Sequence, residues 1–400
     1  MLQQAQDRIG DRRRAPFVLG LYVLLNAFNQ FEWLRFAPIT SRAAAQYGVE
    51  VSWVGGLAMI FPLLACLLSL PLGWAIDRFG LRPSFRTVAL LMMLGAVTRC
   101  FGGFGWVFAG QVLIALGQPL LSNSVGTMAL LWFEGPGRLR ATGIATMSLF
   151  GGIALAFVLV PMLPENIGTS LIGDAVVSVL LLLGTLAMPR DPGRAAAHAE
   201  TAGGVALLRH GRFLAILGIS ALGNGFFGAI FTWLERMLRP NGFDSGTAGL
   251  AGLLLLIGGI IGSAVLPGFA NSPKRLRPVV MGPAMLALPA TALLLSTQQQ
   301  GLLLPAAMVL GACLLSPLPV LIDMVQRLGG AARAGFALSL FWLAGNIGSF
   351  GITWLLSFPA QSGDWRLGGI ALAVLLLVQA ALAFIALAPS GLDPAPETRA

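Results

Sequence analysis

The sequence predicts an all-α membrane protein: twelve transmembrane helices in two six-helix halves, with both termini cytoplasmic. Three observations carry that expectation. Of the 400 residues, 56% are hydrophobic and 10% are charged, against roughly 25% charged in soluble domains, and mean hydropathy is +0.83. The apolar residues gather into twelve runs, each near the about 20 residues that a helix needs to cross a bilayer. The basic residues collect in alternate short segments between those runs, which is how membrane proteins are oriented.

The chain opens on a basic leader (Arg8, Arg12, Arg13, Arg14), and the first run covers 16–38. It carries Asn26, Asn29, Gln30 and Trp33 at i, i+3, i+4 and i+7, one stripe of a helix. Polar side chains in a span face protein or a water-filled path, because lipid cannot satisfy them. An amide ladder ending in an indole suits a polar or cationic organic solute, since amides orient it and a ring face holds a cation. The plainer reading is that these amides only bond helix to helix. Glu32 flanks the stripe, with Arg35 and Arg99 as candidate partners. Pairing is the expectation for a charge inside a membrane, and a proton carrier is the alternative.

The second run, 51–76, leads into Gly73-Trp-Ala-Ile-Asp77-Arg78-Phe-Gly80-Leu-Arg82-Pro83-Ser-Phe-Arg86. A Gly at its start lets two helices approach, and an Asp-Arg pair sits at the membrane surface. A second Gly makes the turn, and further arginines face the headgroups. This stretch resembles the loop signature of the major facilitator superfamily, Gly-x-x-x-Asp-Arg-x-Gly-x-Arg, at every fixed position. The resemblance implies the major facilitator fold, and a conformational switch at Gly73, Asp77, Arg78, Gly80 and Arg82. A loop that only orients and packs is the alternative, since glycines also bring helices close.

The third and fourth runs cover 84–102 and 105–133. On the fourth, Gln111, Gln118 and Ser122 share a face, and Pro119 loosens the local backbone bonds. The superfamily often has an Arg in this helix, followed by Gly four and six residues later; the matching positions here are Gln111, Ala115 and Gly117. That departure argues against the proton-coupling pattern of drug exporters. Runs five and six cover 141–163 and 168–188, with Asp174 one or two turns into the sixth. The polar segment 190–212, rich in Ala, Gly, Arg and His, reads as a cytoplasmic linker between a first bundle at 1–189 and a second at 213–400.

The second bundle holds runs at 213–238, 246–269, 279–297, 302–326, 334–358 and 367–387. Asn224, Phe227, Phe231 and Glu235 share a face of the seventh, and Ser339, Trp342, Asn346 and Thr353 a face of the eleventh. Asn26, Asn224 and Asn346 fall near the middle of their spans, where a carrier's site is expected. The substrate-binding candidates are therefore Asn26, Asn29, Gln30, Trp33, Gln118, Ser122, Asn224, Phe231, Trp342 and Asn346. Candidates for coupling or structural ion pairs are Glu32, Arg99, Asp174, Glu235 and Asp323. The last lies close to Arg327 and Arg333 at the cytoplasmic end of run ten, as a gate or a structural pair.

The halves echo each other. Pro71-Leu-Gly73 and Leu81-Arg82-Pro83 correspond to Pro267-Gly268 and Leu276-Arg277-Pro278. Arg140-Ala-Thr-Gly143 and Ser148-Leu-Phe150 correspond to Arg333-Ala-Gly335 and Ser339-Leu-Phe341, and Asn26-Ala-Phe28 to Asn224-Gly-Phe226. Two parallel repeats around a central path are what such an echo describes. With the leader inside, Arg35, Arg42, Arg99, Arg236, Arg239 and Arg366 fall outside, and the other nineteen of the 25 basic residues fall inside. That bias places both termini and the 73–86 loop in the cytoplasm.

A narrower resemblance rests on Asn26-Ala-Phe-Asn-Gln-Phe-Glu-Trp33-Leu-Arg-Phe-Ala-Pro38-Ile, Tyr47-Gly-Val, Trp132-Phe133 and Arg140-Ala-Thr-Gly-Ile. These look like the feline leukaemia virus subgroup C receptor-related carriers, discussed for haem, choline and ethanolamine. In that branch an aromatic residue of the first helix cages the choline head, and Trp33 is the matching position. A glutamine of the fifth helix assists there; Phe150-Gly151-Gly152-Ile153-Ala154 has none.

The expected function is secondary transport of a small organic solute by alternating access, at a polar and aromatic site between the halves. A proton-coupled drug or metabolite exporter is the alternative, and a non-transporting membrane sensor a remote one. A sensor would need an appended soluble domain, and the leader and the 393–400 tail are short for one. An enzyme is not expected: three cysteines (Cys66, Cys100, Cys313) lie in or at apolar runs without metal spacing, and His198 and His210 lie in the linker. No cofactor or metal is expected, and no cleavable signal peptide. Nor is nucleic acid an expected partner, because the net charge of +9 is spread over short loops rather than one soluble face. The expected partners are the solute, the lipid bilayer and, as a candidate, protons. One chain supplies a complete path, so a monomer is expected, in a bacterial inner membrane.

Overall fold

The computed structural model describes residues 2–134, 136–192, 204–269 and 273–387. The middle of the linker and the 393–400 tail lie outside the described residues, as do the side chains of Asp77 and Arg333. The chain divides into two compact units: Met1–His198 with Thr232–Glu235, and Ala199–Phe231 with Arg236–Ala400.

Every regular element among the described residues is helical, as long apolar segments require: in lipid a helix satisfies its own backbone. The first unit holds α1 (Leu2–Trp33), the short α2 (Thr40–Tyr47), α3 (Val51–Phe79), α4 (Leu81–Arg99), α5 (Phe104–Trp132), α6 (Pro136–Leu159) and α7 (Ile167–Leu186). Helix α8 (Gly211–Leu238) gives its Thr232–Glu235 segment to the first unit and the rest to the second. There it is joined by α9 (Ser245–Val265), α10 (Pro273–Ser296), α11 (Gln300–Leu315), α12 (Leu318–Leu355), α13 (Ser357–Ser362) and α14 (Trp365–Ala386). Side-chain acceptors start several of them: Asn166 on Gly168 N–H for α7, Asp244 on Thr247 N–H for α9, and Asp364 on Arg366 N–H for α14.

The two units pack alike. In the first, α3 and α4 pack on α5, α4 on α7, and α1 on α6; in the second, α9 and α10 pack on α11, and α10 on α14. Glycines set the closest approaches. A Cβ on Gly152 of α6 would overlap the Ala27 carbonyl of α1, and one on Gly348 of α12 would overlap the Ala221 carbonyl of α8. Within membranes, where apolar burial alone does not drive helices together, such close backbone contact replaces it.

Ten helices among the described residues are long and apolar enough to cross a membrane, against twelve expected. The two others are α1 and α4. Asn26, Asn29, Gln30 and Glu32 lower the apolarity of α1, and Arg82, Arg86 and Arg99 that of α4.

The run expected at 302–326 needs correction. It breaks at Ser316 and Pro317, between α11 and α12, because Pro317 and Pro319 have no N–H to give to the carbonyls four residues back. Helical backbone then continues through 327–333, where a loop was expected. Yet Leu321 and Phe341 line one small cavity, although twenty residues of straight helix would separate them by roughly 30 Å. The chain therefore doubles back between them, and the spans Gln300–Gly329 and Phe336–Ser362 are distinct.

Candidate functional site

The amide stripe of α1 turns toward three neighbouring helices of the first unit. Asn26 Nδ2 donates to Ser148 Oγ of α6 at 2.9 Å, and Asn29 Nδ2 donates to the Ile114 carbonyl of α5 at 3.3 Å. The half-buried Trp33 gives its indole N–H to the Ala58 carbonyl of α3 at 3.0 Å. Gln30 is buried, and its Oε1, like Asn29 Oδ1, has no partner. Periodicity found the face, and the hydrogen bonds of Asn26 and Asn29 run from helix to helix.

Beside the stripe lies a cluster of four buried charges. Glu32 Oε1 accepts from Arg99 Nη2 at 2.7 Å, and Asp174 Oδ2 accepts from Arg35 Nε at 2.8 Å. Arg99 Nη2 also lies 3.6 Å from Asp174 Oδ2, which joins the two pairs. Arg99 Nη1 donates to Gln111 Oε1 at 3.0 Å, and Gln111 Nε2 donates to the Glu32 carbonyl at 2.8 Å. Arg35 Nη2 reaches Ser170 Oγ, and its guanidinium stands 5.7 Å from the Phe31 ring centre. Arg35 thus serves Asp174 rather than Glu32. The arrangement is neutral in sum, and it places the Arg99 guanidinium on Gln111, the position where the superfamily often has its own Arg.

The loop expected at 73–86 shrinks to Gly80, the one residue between α3 and α4, and that junction is held by a residue that sequence reasoning missed. Gly80 has φ +90° and ψ 179°, a conformation open to glycine, and it gives α4 no capping side chain. Asp191 supplies the acceptor: its Oδ2 takes the N–H of Leu81 at 2.8 Å and of Arg82 at 3.2 Å. In return Arg86 of α4 gives Nε to the Thr185 carbonyl at 3.3 Å and Nη2 to the Leu186 carbonyl at 3.2 Å. An anion thus meets the positive end of α4 and a cation the negative end of α7, the favourable sense for both dipoles. Burial pushes the Asp191 carboxyl up, against the pull of the two N–H bonds and of Arg82. Arg78 lies exposed, 5.2 Å from the Trp74 ring centre. A Cβ on Gly73 would stand 3.4 Å from Asn123 Nδ2. No local pattern announces Asp191, which lies 110 residues from Leu81; the only sign was a helix start without a cap.

The remaining candidates divide by exposure. On α5, Gln118 is half-buried with Oε1 unpartnered, and Ser122 is exposed. Glu235, in the α8 segment of the first unit, accepts from Ser41 N–H at 3.2 Å and Ser41 O–H at 2.8 Å. In the second unit Phe231 is buried, its ring centre 4.5 Å from that of Phe227. Trp342 is exposed, and Asn346 is half-buried with Nδ2 on the Trp342 carbonyl at 3.0 Å. Asp323 pairs with Arg327 one turn on, at 2.9 Å, with both side chains in the open. Asn224 Nδ2 donates to the Ser220 carbonyl at 3.1 Å and faces a cavity of about 20 Å³ between α8, α11, α12 and α14. Ser220 and Gln379 share that cavity, and neither was singled out from sequence.

Residues 21–353 match the family model described as Major Facilitator Superfamily. Solute carrier family 49 member A3 of Danio rerio is 30% identical over 69% of this chain and 63% of its own length. The choline/ethanolamine transporter FLVCR2 of Homo sapiens is 26% identical over 64% of this chain and 54% of its own. The chain thus spans less than two thirds of these relatives. Among solved structures, a bacterial homolog of the human lysosomal transporter Spinster, inward-facing and unoccupied, superposes with a TM-score of 0.78 at 14% identity, over 93% of this chain and 97% of that one. The nucleoside transporter NupG gives 0.74, also at 14%, over 92% and 99%. Both resemblances read from the sequence agree with these matches. The relatives come from animals, and they lend no support to a bacterial inner membrane.

Proposed function

The chain belongs to the Major Facilitator Superfamily, and from that premise we propose that it is a secondary carrier of a small organic amine such as choline or ethanolamine, working by alternating access. It is a multi-pass membrane protein of a family of carriers, not of enzymes. The observation that supports the amine reading is Trp33: it is only half-buried at the end of a buried amide stripe, and the family resemblance matches it to the aromatic residue that cages an amine head. Relatives named as choline/ethanolamine transporters point to the same solute class.

We assign solute contact to Trp33, Gln118 and Ser122 in the first unit and to Trp342 and Asn346 in the second, because each keeps exposed or half-buried polar or aromatic surface. The Gly73–Arg82 stretch, the end of α3 and the start of α4, is the conformational switch in this reading, with Asp191 as its anchor. Twelve spans and cytoplasmic termini complete it, since the basic residues favour that side by nineteen to six. The neutral Glu32–Arg99–Asp174–Arg35 cluster supports facilitated diffusion over proton coupling, as each carboxylate already has a guanidinium.

The test is uptake of labelled choline and ethanolamine into liposomes holding the purified full chain. Uptake above empty liposomes, unchanged by an imposed proton gradient and lost in Trp33→Ala, is the expected result. Uptake of neither amine, with uptake of a sugar or an organic acid that Trp33→Ala leaves intact, would sink the amine assignment. Uptake driven by a proton gradient would restore the exporter or symporter alternative.

A further inference from the structure

Arg277 and Phe384 meet where two spans of the second unit end. Arg277 is the third residue of the span Arg275–Ser296 on α10, and Phe384 is the third from the end of the span Trp365–Ala386 on α14. The two helices pack together, and the Arg277 guanidinium carbon lies 4.0 Å from the centre of the Phe384 ring. At a rise of about 1.5 Å per residue, both lie within about 3 Å of the edge of their spans, next to the headgroup layer. Phe384 continues the exposed apolar face of Ile370, Val374, Leu377 and Val378, the face that a spanning helix turns to lipid. Arg277 is half-buried. Its Nε is covered and has no partner, and its two Nη groups make no hydrogen bond among the described residues and are not covered. A guanidinium held against a ring face keeps its in-plane N–H groups for an acceptor.

The first unit shows what an arginine at this position meets. Leu81-Arg82-Pro83 and Leu276-Arg277-Pro278 echo each other, and Arg82 stands beside the Asp191 carboxylate. The second unit has no described carboxylate to spare for Arg277: Asp244 and Asp364 cap the starts of α9 and α14, and Asp323 pairs with Arg327. The matching anion has to come from elsewhere. We propose that Arg277, held against Phe384, binds the phosphate of an anionic membrane phospholipid. The phosphodiester fits the guanidinium fork, and the apolar face of α14 receives the acyl chains. Lys274 and Arg275 precede Arg277 in the chain, and this local excess of positive charge disfavours a headgroup with an ammonium of its own. Basic pockets between spanning helices recognise anionic headgroups by the same attraction. The site is separate from the solute, since it uses none of the residues assigned to solute contact.

The experiment is thermal unfolding of the purified, delipidated full chain in detergent micelles that hold phosphatidylglycerol or phosphatidylcholine at equal mole fraction, with inorganic phosphate as a further arm. A ligand of the native state raises the unfolding temperature by mass action. Phosphatidylglycerol is expected to raise it saturably above phosphatidylcholine, and inorganic phosphate to leave it unchanged. Arg277→Gln is expected to abolish the difference between the two lipids. Phe384→Leu, which frees the guanidinium from the ring, should raise the half-saturating lipid fraction several-fold. Arg209→Gln removes an exposed cation of the same unit and should leave the difference intact. If Arg277→Gln does not fold, Phe384→Leu decides. Equal response to the two lipids would mean that Arg277 meets water or an acid of the 393–400 tail. A difference lost equally in Arg209→Gln would be diffuse attraction of charge, and one that Arg277→Gln leaves intact would place the lipid elsewhere. Inorganic phosphate that reproduces the gain would make the ligand a free anion. Each of these results overturns the proposal.

Discussion

At the residue scale the buried charges of the first unit dominate. Glu32 and Arg99 are buried at 0% and 1% exposure, so neither can hand its charge to water when the other is removed. Breaking such a pair from one side typically costs about 3–5 kcal/mol, whereas replacing both members by neutral groups of similar size costs far less. Arg99→Met is accordingly expected to lower the unfolding temperature sharply, and Glu32→Gln with Arg99→Met to recover most of that loss. Thermal unfolding in detergent measures both; a double variant worse than Arg99→Met would show that the cluster is more than two ion pairs. The inventory of charges was legible in the sequence, because ionisable residues are rare in apolar runs and stand out. Their pairing was legible only in part: Arg99 stood beside Arg35 as a candidate partner of Glu32, and the match of Arg35 with Asp174 did not show. Glu32 meets Arg99 across 67 residues and Arg35 meets Asp174 across 139, and only the packing of α1, α4 and α7 selects one match over the other. The amide stripe has the same lesson: spacing shows which side chains share a face, and the neighbouring helices decide what each one touches.

At the scale of elements, the ends and crossings of helices hold the testable energies. Asp191→Ala removes the acceptor for two N–H groups of α4 and is expected to cost about 0.5–2 kcal/mol at neutral pH. The carboxyl of Asp191 is raised by burial in the folded protein, so the folded state holds its proton more tightly than the unfolded chain. Its contribution is thus full below the unfolded value of about 4 and is lost as pH rises through the raised folded value. Wild type should therefore gain on Asp191→Asn, in unfolding temperature, as pH is lowered toward 4; an unchanging difference would remove burial as the cause. Gly152 tests a crossing. In an open helix interior, alanine is better than glycine by about 0.5–1 kcal/mol, but here a Cβ would overlap the Ala27 carbonyl of α1. Gly152→Ala is expected to destabilise, and a rise in unfolding temperature would mean that α1 and α6 separate at little cost. Helix positions and the echo of the halves were readable from apolar runs and repeated Gly, Pro and Arg. The break at Ser316 and Pro317 was signalled by Pro317 and Pro319 but hidden by an otherwise continuous apolar run.

At the scale of the whole molecule, the question is whether α1 and α4 cross the membrane, since they are not among the ten plainly apolar helices. Polar content alone does not bar them. Arg99 is neutralised by Glu32 and Asp174 inside the first unit, and Arg86 caps the end of α7 rather than facing lipid. Charges so engaged impose little of the insertion cost of about 2.5–3.5 kcal/mol that a free one would carry at mid-membrane. A native thiol reports the answer. Cys100 follows the end of α4 and is exposed, whereas Cys66 is half-buried in α3 and Cys313 is buried in α11. If α4 crosses, Cys100 stands on the face opposite the basic 73–86 stretch, which the proposed orientation puts in the cytoplasm. A membrane-impermeant maleimide added to intact cells should then label the protein, and Cys100→Ser should abolish the labelling. Labelling that needs inside-out vesicles would put both ends of α4 on one side. The helices after α4 would then reverse their sense relative to the basic segments that follow, against the nineteen-to-six bias. External labelling keeps every basic segment on the side that the bias assigns, and with it twelve crossings and two cytoplasmic termini.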